Sequence, residues 1–314
     1  MNVLVTGASG FIGKHVCAAL DAAGHDFIPC VRASDASISG RKTVVVGGID
    51  ATTEWSQLLE GVDAVIHLAA RVHVMNETSE NPLASFRAVN TSGSRSLALQ
   101  AAAAGVKRML YVSSIKVNGE QTPGSPFDPD DAASPQDAYA ISKYEAEQSL
   151  FEVAEQTGLE IVVIRPPLVY GPGVGGNFIR LLKLVDLGVP LPFGCVNNRR
   201  SLISVYNFCD FLVLCLVHLQ AAGQIFLVSD NEDLSTRDLI SGLAGEMHKS
   251  IRMLPVPIAV LTFFGVLLGK RAELERLCGS LRLDTDKAQR LLGWKPPYSV
   301  KKGLQRTVSW YLSN

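Results

Sequence analysis

Short apolar runs rich in β-branched residues recur through the first half of the chain, at residues 2–5, 27–31, 43–46, 64–68, 109–113 and 161–164. Amphipathic or alanine-rich stretches separate most of them, notably 11–23, 86–104 and 138–156. Continuous apolar strands alternating with helices describe a parallel sheet covered on both faces, because each strand must hide two apolar surfaces. The pattern predicts an α/β fold, a doubly wound parallel sheet. After Arg165 the pattern changes. Glycine and proline crowd into Arg-Pro-Pro-Leu-Val-Tyr-Gly-Pro-Gly-Val-Gly-Gly, and turn signals recur at 188–192 and 296–297. We therefore expect a main domain over 1–165 and a smaller C-terminal lobe over 166–314, with 224–228 returning to the sheet.

The first chemical signal is Thr6-Gly7-Ala8-Ser9-Gly10-Phe11-Ile12-Gly13, placed between the first strand and the first helix. Glycines there let the backbone turn tightly and approach a pyrophosphate, which then sits at the positive end of the helix. Residues 1–165 are thus expected to bind a dinucleotide. The second strand ends in Cys30-Val31-Arg32. A carboxylate at this point binds a ribose 2′-hydroxyl, whereas a cation suits a 2′-phosphate. Arg32 therefore points to NADP(H), with NAD(H) as the alternative. The second signal is Tyr139 and Lys143, whose i, i+4 spacing puts both side chains on one helical face. A nearby ammonium favours a phenolate, so Tyr139 is expected to exchange a proton with a substrate oxygen and Lys143 to lower its pKa. The strand before this helix ends in Ser113-Ser114, whose hydroxyl can bind the same oxygen.

Composition narrows the partners. A net charge of −1 over 314 residues offers no global field for nucleic acid or anionic lipid. The six cysteines are scattered, without metal-ligand spacing, and read as reduced thiols; no metal is expected. The opening segment lacks the basic start of a signal peptide, so a cytoplasmic location is expected. The apolar stretch 256–268 is shorter than the roughly 20 residues that cross a bilayer. It reads as a buried helix or a hydrophobic surface, with peripheral membrane contact as the alternative.

Together these residues resemble the extended short-chain dehydrogenase/reductases, and within them the nucleotide-sugar epimerases, dehydratases and reductases. His67-Leu68-Ala69-Ala70 resembles the family's turn beside the cofactor, Asn90 its conserved helix asparagine, and Arg165-Pro166 with Tyr170-Gly171-Pro172 its cofactor-closing segment. The resemblance implies cofactor contacts from Gly7, Ser9, Gly10, Phe11, Ile12, Gly13, Leu68, Ala69, Ala70, Asn90, Tyr139, Lys143 and Pro166. It implies catalysis by Ser114, Tyr139 and Lys143. It implies a UDP-sugar held by Ser114, Asn177, Arg200 and Arg276. It also implies pairing of two copies through the helices 86–104 and 138–156.

Departures from the pattern narrow the chemistry. Ile115 and Lys116 stand where the dehydratases carry an Asp-Glu pair, so elimination of water lacks its acid and base. Asn118 replaces a tyrosine, and Asp50 is displaced from the usual acid of the third strand. Leu281 falls near a bulky tyrosine of galactose epimerases and is expected to leave room for a 2-acetamido group. The expected reaction is NADPH-dependent reduction of a UDP-4-keto-6-deoxy-N-acetylhexosamine at C4, for bacterial surface polysaccharide. The alternative is a UDP-sugar 4-epimerase holding its cofactor tightly. A catalytically silent NADP-binding regulator is disfavoured by the intact Ser-Tyr-Lys set.

Overall fold

The structure is a computed structural model that describes every residue except 34–36, 73–80, 268 and 270, and omits the side chains of 271–273. Strands β1 (Asn2–Thr6), β2 (Asp26–Val31), β3 (Val44–Val45), β4 (Ala64–His67), β5 (Arg108–Val112) and β6 (Glu160–Arg165) follow the expected runs. Two short strands come next, β7 (Leu168–Tyr170) and β8 (Leu202–Ser204), and then β9 (Ile225–Leu227). The seven-stranded sheet runs β3-β2-β1-β4-β5-β6-β9, every pairing parallel, and β7 pairs with β8 beside it. The order reverses between β1 and β4. In open sheets of this kind the crevice at that reversal takes the ligand.

Alternation along the strands sends successive side chains to opposite faces. Val3, Val5, Ile66, Leu110, Val162 and Ile164 share one core with the helices Phe11–Ala22 and Val205–Val217. Leu4, Val65, Met109, Ile161 and Val163 share the other with Ser94–Ala103 and Ala138–Thr157. A third core, around Tyr170, Phe178, Leu182, Ile240, Leu243 and Leu304, lies in the second half of the chain. The second half also supplies β9 to the sheet edge, where 224–228 was expected.

Two expectations change in detail. The helix expected over 86–104 is three pieces: Pro82–Phe86, a wider π-helical stretch Arg87–Gly93, and Ser94–Ala103. Gly93 allows this packing, since a Cβ there would meet Ile49 Cγ2 at 2.7 Å. Single π turns of this sort mark functional positions in many helices, and this one carries Asn90. The stretch 256–268 forms the helix Ile258–Leu267, of which only Leu261 and Gly265 are buried. Among the described residues no helix is long and apolar enough to cross a membrane.

Candidate active site

The register places the site. Thr6 lies level with Cys30 on one side and His67 on the other, so the turns after β1, β2 and β4 leave the sheet at one edge. Gly7 sits at φ +68°, and a Cβ on it would stand 2.8 Å from the Ala69 backbone nitrogen. A Cβ on Gly13 would come 2.2 Å from the Gly7 carbonyl oxygen. Only glycine lets strand, turn and helix close this tightly. The helix Phe11–Ala22 starts at Gly10 with no side-chain cap and no acid in its first turn. Its leading N–H groups and positive end are therefore free to face an anion. These features fit a dinucleotide pyrophosphate.

A buried polar chain braces the turn. His67 Nδ1 is 2.6 Å from Thr6 Oγ1, and its Nε2 is 2.9 Å from Ser94 Oγ. Ser94 gives its own proton to the Asn90 carbonyl at 2.6 Å, so it accepts from Nε2–H. Thr6 then donates to Nδ1 and accepts from the Ala69 N–H at 3.2 Å. The Leu68-Ala69-Ala70 backbone is thereby tied to β1. Asn90 continues the chain. Its side chain accepts from the Arg71 N–H and donates to Ser142 Oγ at 2.9 Å, on the helix that carries Tyr139.

Burial, helped by Lys143, lowers the His67 pKa from 6.5 to about 3. The folded protein keeps this imidazole neutral where the unfolded chain would protonate it. Stability is thus lost as pH falls from about 6.5 toward about 3. The contribution is on the order of 5 kcal/mol at full development. His67→Gln should flatten that part of the stability–pH curve, measured by denaturant unfolding at a series of pH values. A slope unchanged from wild type would assign the acid sensitivity to other groups.

Ser114, Tyr139 and Lys143 meet at the end of β5. Ser114 caps a short turn, Ile115–Val117, by accepting from the Lys116 N–H at 3.3 Å, and its hydroxyl lies beside the Tyr139 phenol. Asp137 caps the tyrosine helix by accepting from the Ala140 N–H at 2.7 Å. Lys116 binds that same carboxylate at 2.5 Å and Glu120 at 2.9 Å. Lys143 is buried, donates to the Val112 carbonyl at 2.7 Å and lies 4.3 Å from the Tyr111 ring centre.

Burial dominates the electrostatics of this pair. Burial, and then the Asp137 charge, push the phenol up to about 12 against the opposing Ser114 bond. Burial pulls Lys143 down to about 7, with Glu147 countering. Lys143 faces the Val112 carbonyl and the Tyr111 ring, and desolvation outweighs any help it gives a phenolate.

Sequence reasoning missed the support beneath these residues. Glu147, one turn after Lys143, forms a buried ion pair with Arg165 at 2.6 Å. Arg165 also donates to Asn118 Oδ1 at 2.9 Å, and Asn118 donates to the Asp128 carbonyl at 3.1 Å. Asn118, noted as a departure, is thus a link in this network. The one available signal for the pair was an acid in register with Lys143 on an otherwise buried helical face.

The remaining candidates fall in several places. Pro166 is buried and its carbonyl accepts from Ile115 N–H at 3.0 Å, close to Ser114. Arg32 is exposed at the end of β2, as is Ser9 in the glycine turn; Phe11 and Ile12 are half-buried. Asn177 is exposed in the first turn of Gly176–Asp186. Arg200 and Arg276 come together. The Arg200 guanidinium donates to the Arg276 carbonyl at 2.6 Å, and burial with the Arg276 charge lowers its pKa. Leu281 is buried with Ile115, Leu227 and Leu283. Asp50 closes its own turn by accepting from Thr52 N and Oγ1.

Comparison with known proteins decides the family, since the profile of the NAD dependent epimerase/dehydratase family matches residues 3–229. The chain belongs to that family. It is an enzyme of the extended short-chain dehydrogenase/reductase type, in the nucleotide-sugar group. It is 41% identical over 313 residues to a UDP-glucose 4-epimerase of Vibrio cholerae, covering 99% of this chain and 95% of that one. It is 26% identical to an Escherichia coli O157:H7 protein named N-acetyl-alpha-D-glucosaminyl-diphospho-ditrans,octacis-undecaprenol 4-epimerase, covering 98% of this chain and 95% of that one. Among solved structures it resembles DesIV, a dTDP-glucose 4,6-dehydratase from Streptomyces venezuelae with NAD and TYD bound. That likeness has a TM-score of 0.79 at 26% identity, over 100% of this chain and 98% of the other.

Proposed function

We propose that the enzyme reduces a UDP-4-keto-6-deoxy-N-acetylhexosamine at C4 with NADPH. What supports this reading is the pairing of Ser114 and Tyr139 at the end of β5 with an exposed Arg32, and no carboxylate, at the end of β2. Bound nicotinamide would supply the hydride to sugar C4. Tyr139 gives its phenolic proton to the C4 oxygen, and the Ser114 hydroxyl holds that oxygen in line. A carbonyl plus hydride plus proton becomes an alcohol. Elimination is disfavoured because the buried Ile115 and the ion-paired Lys116 stand where the dehydratases carry their acid–base pair. The sequence unit 1–165 would hold the dinucleotide, on the glycine turn, the Leu68-Ala69-Ala70 backbone, Asn90, Lys143 and Pro166. The lobe 166–314 would hold the diphosphate, through Asn177, Arg200 and Arg276.

A second reading, 4-epimerisation of a UDP-sugar, is supported by the 41% identity to the Vibrio cholerae enzyme over nearly the whole chain. It uses the same residues, with Tyr139 first removing and then returning the proton. The cofactor separates the two. A reductase exchanges spent cofactor every cycle, whereas an epimerase regenerates its own. Val31 cannot bind a 2′-hydroxyl, and the exposed Arg32 suits a 2′-phosphate. Titration of the apo-enzyme should give tighter NADP(H) than NAD(H). Val31→Asp with Arg32→Ala should reverse the order, because a new carboxylate repels the phosphate and the guanidinium is gone. Equal or tighter NAD(H) binding in wild type would favour the epimerase.

A further inference from the structure

The helix Ile258–Leu267 inverts the usual arrangement of a surface helix. An ordinary one turns an apolar stripe inward and polar residues outward. Here Leu261 and Gly265 face inward, while Ile258, Val260, Phe263, Phe264, Val266 and Leu267 are exposed, Phe263 at 65% and Leu267 at 70%. Its single polar side chain, Thr262, turns its hydroxyl back onto the Ile258 carbonyl at 2.9 Å. Nothing on the outer surface of this helix seeks water.

We propose that this helix is a monotopic membrane anchor that docks the enzyme on an anionic lipid surface. Three observations select that occupant. The first is charge. Residues 247–272 contain no Asp or Glu, while Lys249 and Arg252 precede the helix and Lys270 and Arg271 follow it. Lys249 is engaged with Asp186, and Arg252 is exposed. The exposed Arg252, beside an apolar helix that carries no acid of its own, suits an anionic headgroup layer. The second is breadth. At about 100° per residue, five of these six exposed side chains, from Val266 round to Phe264, sweep about 160° of the helix, and Ile258 lies outside that arc. An ordinary surface helix carries an apolar stripe from about 100° wide. A second copy packed here would leave apolar side chains in water, whereas a bilayer interface accepts the whole arc. The third is length. Ten residues rise about 15 Å, half of a hydrocarbon core, so the helix lies in the interface and does not cross it.

The anchor is coupled to the body of the enzyme. A Cβ on Gly265 would stand 2.3 Å from Leu274 Cδ1, so the helix lies directly on Arg271–Cys278. That second helix gives its Arg276 carbonyl to Arg200. The lipid surface would therefore lie one helix away from the two arginines. Membrane docking itself stands whatever sugar chemistry the enzyme performs.

The test is flotation of the purified full-length protein with vesicles of phosphatidylethanolamine and phosphatidylglycerol, and with phosphatidylcholine alone. Wild type should float with the anionic vesicles and less with the neutral ones. Phe263→Ser with Phe264→Ser should reduce the bound fraction by more than about tenfold, since two buried phenyl rings are lost from the interface. The same variant should retain wild-type turnover of UDP-sugar in vesicle-free buffer, which shows that it is folded. In Phe263→Trp, indole fluorescence should shift to the blue when anionic vesicles are added. Three results would overturn the proposal: wild type that stays unbound, flotation undiminished in the double variant, or a dimer in the ultracentrifuge that the double variant dissociates. The last would assign the face to a second copy.

Discussion

Tyr139→Phe should lose most turnover, by roughly 10²–10⁴-fold, while binding the dinucleotide as wild type does. Tyr139 is the group in this site placed to pass a proton to the substrate oxygen. Ser114 is a neutral hydroxyl placed to hydrogen-bond, and Lys143 donates to the Val112 carbonyl. His67 is neutral and enclosed by Thr6 and Ser94. Phenylalanine keeps the ring that packs edge-on against Phe86 at 6.1 Å, so the helix and its Asp137 cap should be undisturbed. Only the proton is removed. Single-turnover reduction and cofactor titration on the same preparation separate chemistry from binding. A variant within about threefold of wild type would remove Tyr139 from the mechanism.

Glu147→Leu should lower the unfolding free energy by about 3–5 kcal/mol, because it leaves the Arg165 guanidinium buried without its countercharge. Both partners are almost wholly enclosed, and three donor contacts from Arg165 end on this carboxylate. Asn118 gives Arg165 one further contact but no charge. Glu147→Leu combined with Arg165→Met should recover much of the loss, since removing both charges removes the unpaired ion. Urea unfolding of the two variants is the measurement. If the double variant is as unstable as the single one, the cost arises from packing and not from charge. The same Glu147→Leu change should depress Lys143 further below its pKa of about 7, since Glu147 opposes the effect of burial.

The parts of this site that were legible in the sequence are those where chemistry and spacing coincide within a few residues. Gly7, Gly10 and Gly13 follow a strand and open a helix, and the backbone approach they permit is local. Tyr139 and Lys143 share a helical face at a fixed spacing. β9 was legible as an apolar run between turns. What could not be read depends on groups far apart in the chain. Arg165 and Glu147 are 18 residues apart, and only the packing of β6 under the tyrosine helix brings them together. The π-helical stretch carries Asn90, whose side chain bonds Arg71 and Ser142, far off in the chain. The pKa directions follow from burial, which a spacing rule does not contain; hence Lys143 emerged depressed and Tyr139 raised. The exposed helix at 258–267 was ambiguous for the opposite reason. An apolar run has the same composition whether a protein core or a lipid surface covers it.

The most direct test of C4 reduction is to incubate the enzyme with a UDP-4-keto-6-deoxy-N-acetylhexosamine and NADPH, following nicotinamide absorbance and sugar NMR together. Reduction predicts loss of NADPH in one-to-one proportion with a new C4 alcohol, and no interconversion of UDP-hexoses in a parallel reaction. Unchanged NADPH beside a UDP-sugar that equilibrates with its C4 epimer would contradict it.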